Sequence, residues 1–140
     1  MVPGDVRASL DVRHACDEIR AAAVRNMCDD AALIASRRSL GFSCEEQMNQ
    51  NAVRMDARLT KLIEQAMSDI GEAPRRMVSG AGHDAMIMAE VVPSAMLFVR
   101  SIGGISHHPD ESVRAEDVEK AIRVGVQLVS SLATDMLGEK

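Results

Sequence analysis

Aromatic residues are nearly missing from this chain: Phe42 and Phe98 are the whole set, with no tyrosine and no tryptophan. Proteins that grip single-stranded nucleic acid do so by stacking bases on aromatic rings, so that mode is excluded. Positive charge is short as well, with 16 Lys and Arg against 21 Asp and Glu and a net charge of −5. That balance argues against a nucleic-acid backbone or an anionic membrane as the main partner. No apolar run reaches the roughly 18 residues that span a bilayer. The opening MVPGDVRASLD also lacks the charged-then-apolar design of a signal peptide. Cysteine is scarce: Cys16, Cys28 and Cys44 are an odd number with no CxxC, which reads as reduced, structural thiols in a cytoplasmic protein.

What is present describes one soluble globular domain's worth of chain, 140 residues with 46% hydrophobic content and a mean hydropathy of −0.05. Ten methionines take over core gap-filling from the missing aromatics. From Asp5 the chain alternates, with Val6, Ala8, Leu10 and Val12 on one side and Asp5, Arg7, Ser9, Asp11 and Arg13 on the other. Period two over eight residues predicts a half-buried strand with Arg13 at its polar end. A helix over 16–38 follows, with Ile19, Ala22, Ala23, Met27, Leu33 and Ile34 as its apolar stripe and Gly41 as its stop.

The clearest helix covers 53–70, where Leu59, Leu62, Ile63, Ala66, Met67 and Ile70 recur at helical spacing before Gly71 and Pro74. A short strand over 75–79, a short helix over 85–91 and a covered strand over 95–99 come next. A last helix over 114–137 carries Val118, Ala121, Ile122, Gly125, Val129, Leu132 and Met136 on one side. Strands alternating with helices predict an α/β fold.

Two loops stand beside predicted strands. In Ser79-Gly80-Ala81-Gly82-His83-Asp84 the glycines let backbone N–H groups come close to a ligand, although Gly-Ala-Gly alone is more often a tight turn. The second, Gly103-Gly104-Ile105-Ser106-His107-His108-Pro109-Asp110, leaves the end of a strand, where α/β sheets place their sites. On spacing alone His107 is equally a metal ligand and a solvated loop histidine.

Together these segments resemble a family. Ser79 to Ala85, Met96 to Ser101 and Gly104 to Glu111 stand in the order of the C-terminal signature of hydantoinase/carbamoylase-type metal-dependent amidohydrolases, within the zinc-aminopeptidase-like superfamily. Val2-Pro3-Gly4 and Leu10-Asp11-Val12-Arg13-His14 resemble that family's lid-domain strand. The resemblance implies the tail of an α+β lid or dimerisation domain over 1–51 and the last part of a zinc-peptidase-like catalytic domain over 52–140. It implies hydrolysis of a linear amide or carbamoyl C–N bond in a small carboxylate-bearing substrate, such as an N-carbamoyl amino acid or allantoate. Two divalent ions (Zn, Mn or Co) serve the complete family enzyme.

Residue by residue, the resemblance makes His107 a metal ligand and Arg13 the clamp on the substrate carboxylate. His83 becomes the group that polarises the scissile carbonyl, with Gly82 beside it in the substrate pocket. His14 is structural and His108 faces solvent. The family's other ligands and its general-base glutamate have no counterpart here; Glu45-Glu46 stands in the wrong order and reads as a solvated charge pair. The chain is therefore expected to be an incomplete fragment, inactive alone and completed by a missing N-terminal part or a homodimer. The alternative is a non-catalytic binding or dimerisation module, or a decayed remnant of such an enzyme.

Overall fold

The structure, a computed structural model, describes residues 3–138 and, in the last helix, side chains as far as 134. Val2 and the Met136 side chain, both named above, lie outside the described residues. Among the described residues four α-helices are formed: α1 over Asp17–Arg37, α2 over Ala57–Asp69, α3 over Asp84–Met88 and α4 over Ala115–Gly138. The chain divides into two compact units, Met1–Ala52 with Val78–Gly80 and Val53–Met77 with Ala81–Lys140.

In the first unit, Asp17 and Glu18 place negative charge in the first turn of α1 and Arg37 places positive charge in the last, each matching the helix dipole. The helix closes by two reversed bonds, from the Leu40 N–H to the Ala35 carbonyl (2.9 Å) and from the Ser39 N–H to the Ser36 carbonyl (3.1 Å). Ser39 takes the left-handed conformation this closure needs, at φ 55°. The expected stop at Gly41 therefore falls two residues early, on a side chain that pays for its Cβ. The chain then runs back along α1. Cys44 is disulfide-bonded to Cys28, Asn49 accepts from Arg20 (2.8 Å), and the Ala52 N–H donates to Asp17 (3.1 Å).

That return path corrects the reduced-thiol expectation. Counting cysteines misses a pair that a helix-and-return brings together across 16 positions, and closing a loop of that size stabilises by about 3 kcal/mol. Cys16 alone is free among the described residues. Thiol titration of the denatured, unreduced chain is expected to find one reactive group, rising to three after reduction; three at the outset would remove the bridge.

In the second unit, α2 and α4 pack together. The α2 stripe from Leu59 to Ile70 is buried or half-buried throughout, as its period requires, with Ala66 at its centre. Asp56 sets the start: its carboxylate accepts from the Leu59 N–H (2.8 Å), which trims the expected helix by four residues. Gly71 ends it at φ 83°, with the Glu72 N–H on the Met67 carbonyl. Ser39→Gly is expected to stabilise the folded chain, and Gly71→Ala to destabilise it, by about 1 kcal/mol each, read from helix loss in circular dichroism. On α4 the packed face is Ala121, Val124, Gly125, Leu128 and Leu132, so Ile122 and Val129 of the expected stripe point outward.

The strand–helix alternation is not borne out. Among the described residues the only ladder contact is an antiparallel bridge between Ser101 and Val113. A strand exists by the ladder it forms with a neighbour, and among the described residues the segments at 5–13, 75–79 and 95–99 are part of none. Val6 is correspondingly 81% exposed and Leu10 54%, while Leu97, Phe98 and Val99 are partly exposed, at 36–43%, where a strand covered on both faces would bury them. The short helix is also clipped, to Asp84–Met88, with turns carrying the chain to Val92.

Candidate functional site

Within the first unit Arg13 is held at both sides of its guanidinium. Its Nε and Nη2 donate to the two oxygens of Asp11 (3.0 and 2.7 Å), and its Nη1 donates to the Gly80 carbonyl (2.5 Å). Alternation places Asp11 and Arg13 on one face of the extended segment, which is why a two-residue separation suffices for the pairing. The bond from Arg13 holds the Asp11 carboxyl below the usual carboxylate range, and the Asp11 carboxylate raises Arg13 in turn. The contact with Gly80 ties the segment around Arg13 to the first residues of the Ser79-Gly80 loop, 67 positions away. His14 is occupied locally: the Cys16 N–H donates to its Nδ1 (3.0 Å).

Within the second unit, His83 stands at the start of α3 with extended backbone and no side-chain cap bond. Its ring meets Phe98 edge-on at 5.6 Å, so one of the two aromatic residues braces it. A Cβ built on Gly82 would meet no atom within 4 Å, which leaves the space beside that backbone open.

His107 sits on a loop closed at its base by the Ser101–Val113 bridge and by the Ile102 N–H on the Ser112 carbonyl (2.9 Å). Gly103 and Gly104 turn the chain at φ 71° and 70°, a conformation that favours glycine. His107 itself is left-handed, at φ 56°, and its N–H donates to the Glu111 carboxylate (2.8 Å). The loop thus spends a backbone bond on holding a histidine in a costly conformation while the ring stays exposed. His108 accepts from the Asp110 N–H (3.2 Å) and is exposed, as expected. Beside the loop a shallow hollow is lined by Arg100, Ser101, Ile102, Gly103, Arg114 and Asp117. Its arginines are paired with Asp117 and Glu116, so it presents two neutralised pairs.

A binuclear metal centre needs several carboxylate and imidazole donors around each ion. Among the described residues no three His, Cys, Asp or Glu side chains gather closely enough to hold one. The described donors do not fit such a centre by themselves. Asp11 and the Gly80 carbonyl, which engage Arg13, and Glu111, which engages the His107 backbone, were not singled out in the sequence. The signal for Asp11 was its place on the same polar face as Arg13.

The family model for peptidase family M20/M25/M40 matches residues 8–131. The chain is 34% identical to the probable allantoate deiminase of Oryza sativa subsp. japonica, over 96% of its own length and 30% of that protein's. It is 33% identical to the allantoate amidohydrolase of Bacillus subtilis (strain 168), over 95% of itself and 32% of the relative. It aligns with the crystal structure of an amidase of the hydantoinase/carbamoylase family from Burkholderia multivorans at a TM-score of 0.79 and 31% identity, covering 82% of this chain and 28% of that one. The chain therefore spans less than a third of the length of these relatives. No helix among the described residues is long and apolar enough to cross a membrane.

Proposed function

The chain belongs to peptidase family M20/M25/M40, and from that premise we propose that it supplies part of a metal-dependent hydrolase of a linear amide or carbamoyl C–N bond. The substrate is a small carboxylate-bearing molecule such as an N-carbamoyl amino acid or allantoate. The observation that carries the reading is the Arg13 guanidinium, a planar fork suited to a carboxylate, fixed by the Gly80 carbonyl. In this reading Arg13 takes the substrate carboxylate. His83, with Gly82 beside it, steadies charge on the scissile carbonyl oxygen. His107 is one ligand of the metal centre. The family is generally metal-dependent; the two ions, Zn, Mn or Co, draw their remaining ligands from outside the described donors.

Residues 1–51 act in this reading as the lid or dimerisation segment and 52–140 as part of the catalytic domain, with the remaining M20 segments supplied in trans. The test is reconstitution. The chain is combined with the Bacillus subtilis relative shortened by the segment the chain matches, and ammonia release from allantoate and N-carbamoyl amino acids is followed. Hydrolysis that needs both pieces and a divalent ion supports the proposal; none under any metal overturns it. A second reading, a binding module without turnover, is favoured by the Arg13 fork forming in a chain where, among the described residues, no three metal-binding side chains gather. It predicts carboxylate binding in the same mixture with no ammonia.

A further inference from the structure

A guanidinium offers five N–H donors, and it grips a carboxylate best along an edge that presents two of them in parallel. In Arg13 the edge made by Nε and Nη2 already holds a carboxylate, that of Asp11. A third donor, on Nη1, is held by the Gly80 carbonyl. From this geometry we propose that Asp11 is the resident carboxylate of the Arg13 fork, a specificity-setting residue that an incoming ligand carboxylate must displace. The inference rests on the reading that Arg13 binds the substrate carboxylate, and it goes beyond it by assigning a role to Asp11.

Three features support displacement rather than a permanent brace. Both side chains are more than half exposed, 57% for Arg13 and 67% for Asp11, so water can replace either partner as the exchange proceeds. Asp11 has no other side-chain bond among those described, so it swings away without breaking a second contact. The Gly80 bond uses a different nitrogen, so the guanidinium stays in place while Asp11 leaves.

The consequence is selectivity. With Asp11 seated, the pair carries no net charge, and a bare anion has little to gain by taking its place. A ligand that brings a second polar group along with its carboxylate gains enough elsewhere to exchange. Asp11 then closes the fork again when the product carboxylate departs. Because an exposed ion pair is a weak competitor, its removal is expected to tighten a ligand about two- to fivefold.

Equilibrium dialysis of the full chain against radiolabelled N-carbamoylglycine tests this, with N-carbamoylglycinamide as the probe that lacks the carboxylate. Wild type, Asp11→Asn, Arg13→Gln and the double variant are compared, with helix content checked by circular dichroism. Asp11→Asn is expected to bind N-carbamoylglycine about two- to fivefold tighter, to leave the amide unchanged, and to lose its advantage in the Arg13→Gln background. If Arg13→Gln binds as wild type does, or if no variant binds, the clamp reading of Arg13 fails and this inference falls with it. If Arg13→Gln loses binding but Asp11→Asn is unchanged or weaker, the clamp stands, Asp11 is a brace, and the inference alone is overturned.

Discussion

Alanine in place of His107 is expected to abolish turnover in the reconstituted hydrolase and to lower its bound metal in parallel. A group that merely orients a metal ligand is worth about 10–100-fold in metal affinity or activity. Loss of a ligand itself is expected to exceed that. The structure explains why the loss has no local remedy. The loop base is fixed by the Ser101–Val113 bridge, two left-handed glycines aim the chain, and the His107 N–H is committed to Glu111. His108 is the only imidazole next to it in sequence, and its Nδ1 accepts from the Asp110 N–H at 3.2 Å. Metal content by mass spectrometry and ammonia release read the two effects separately. If both stay within tenfold of wild type, His107 is a loop histidine and not a ligand. Binding of N-carbamoylglycine through Arg13 is expected to survive the substitution, because Arg13 and its partners Asp11 and Gly80 lie in the other unit.

The helices were legible in the sequence because their causes are local. Spacing marked α2, Gly71 marked its end, and the charged termini marked α1, each confirmed to within a few residues. The strands were not, because a period-two pattern reports a face and not a partner. Leu10 carries that pattern, Phe98 sits in a continuous apolar run that likewise names no partner, and neither meets a neighbouring strand among the described residues. The Cys28–Cys44 bridge failed for the same reason in another form: the return of the chain along α1 is a tertiary fact that no cysteine spacing encodes. At the candidate site, residue types and motif order led to Arg13, His83 and His107. The partners of Arg13 lay within reach of sequence reasoning only in part. Asp11 was visible as a same-face neighbour, whereas the Gly80 carbonyl is a backbone group 67 positions distant.

The isolated chain is expected to self-associate and to unfold without a sharp transition. Folding is driven mainly by apolar surface removed from water, and among the described residues the buried hydrophobic side chains are small ones, Ala35, Ala66 and Val124. The larger apolar groups are elsewhere. Along α4, Ile122, Val126 and Val129 lie on one side of the helix at 61–65% exposure, a spacing of four and three residues that makes a continuous stripe. On α1, Ile19, Leu33 and Ile34 are half exposed or more. Single exposed apolar residues are ordinary, but a stripe of them is a contact surface in search of a cover. Two outcomes are expected together: oligomers by light scattering at micromolar concentration, and a broad calorimetric transition with strong binding of a hydrophobic dye. Local bonds such as the Asp56 cap and the Glu64–Arg76 pair keep helical circular dichroism in place while this happens. A monodisperse monomer with a single sharp melt would show that the α2–α4 contact and the Cys28–Cys44 bridge suffice to hold the chain. The α4 stripe would then be a tolerated surface and not an interface. If the complementary M20 segment is added and the oligomers give way to a defined complex with a sharper melt, the stripe has found its cover, and the same mixture is the one in which hydrolysis should be sought.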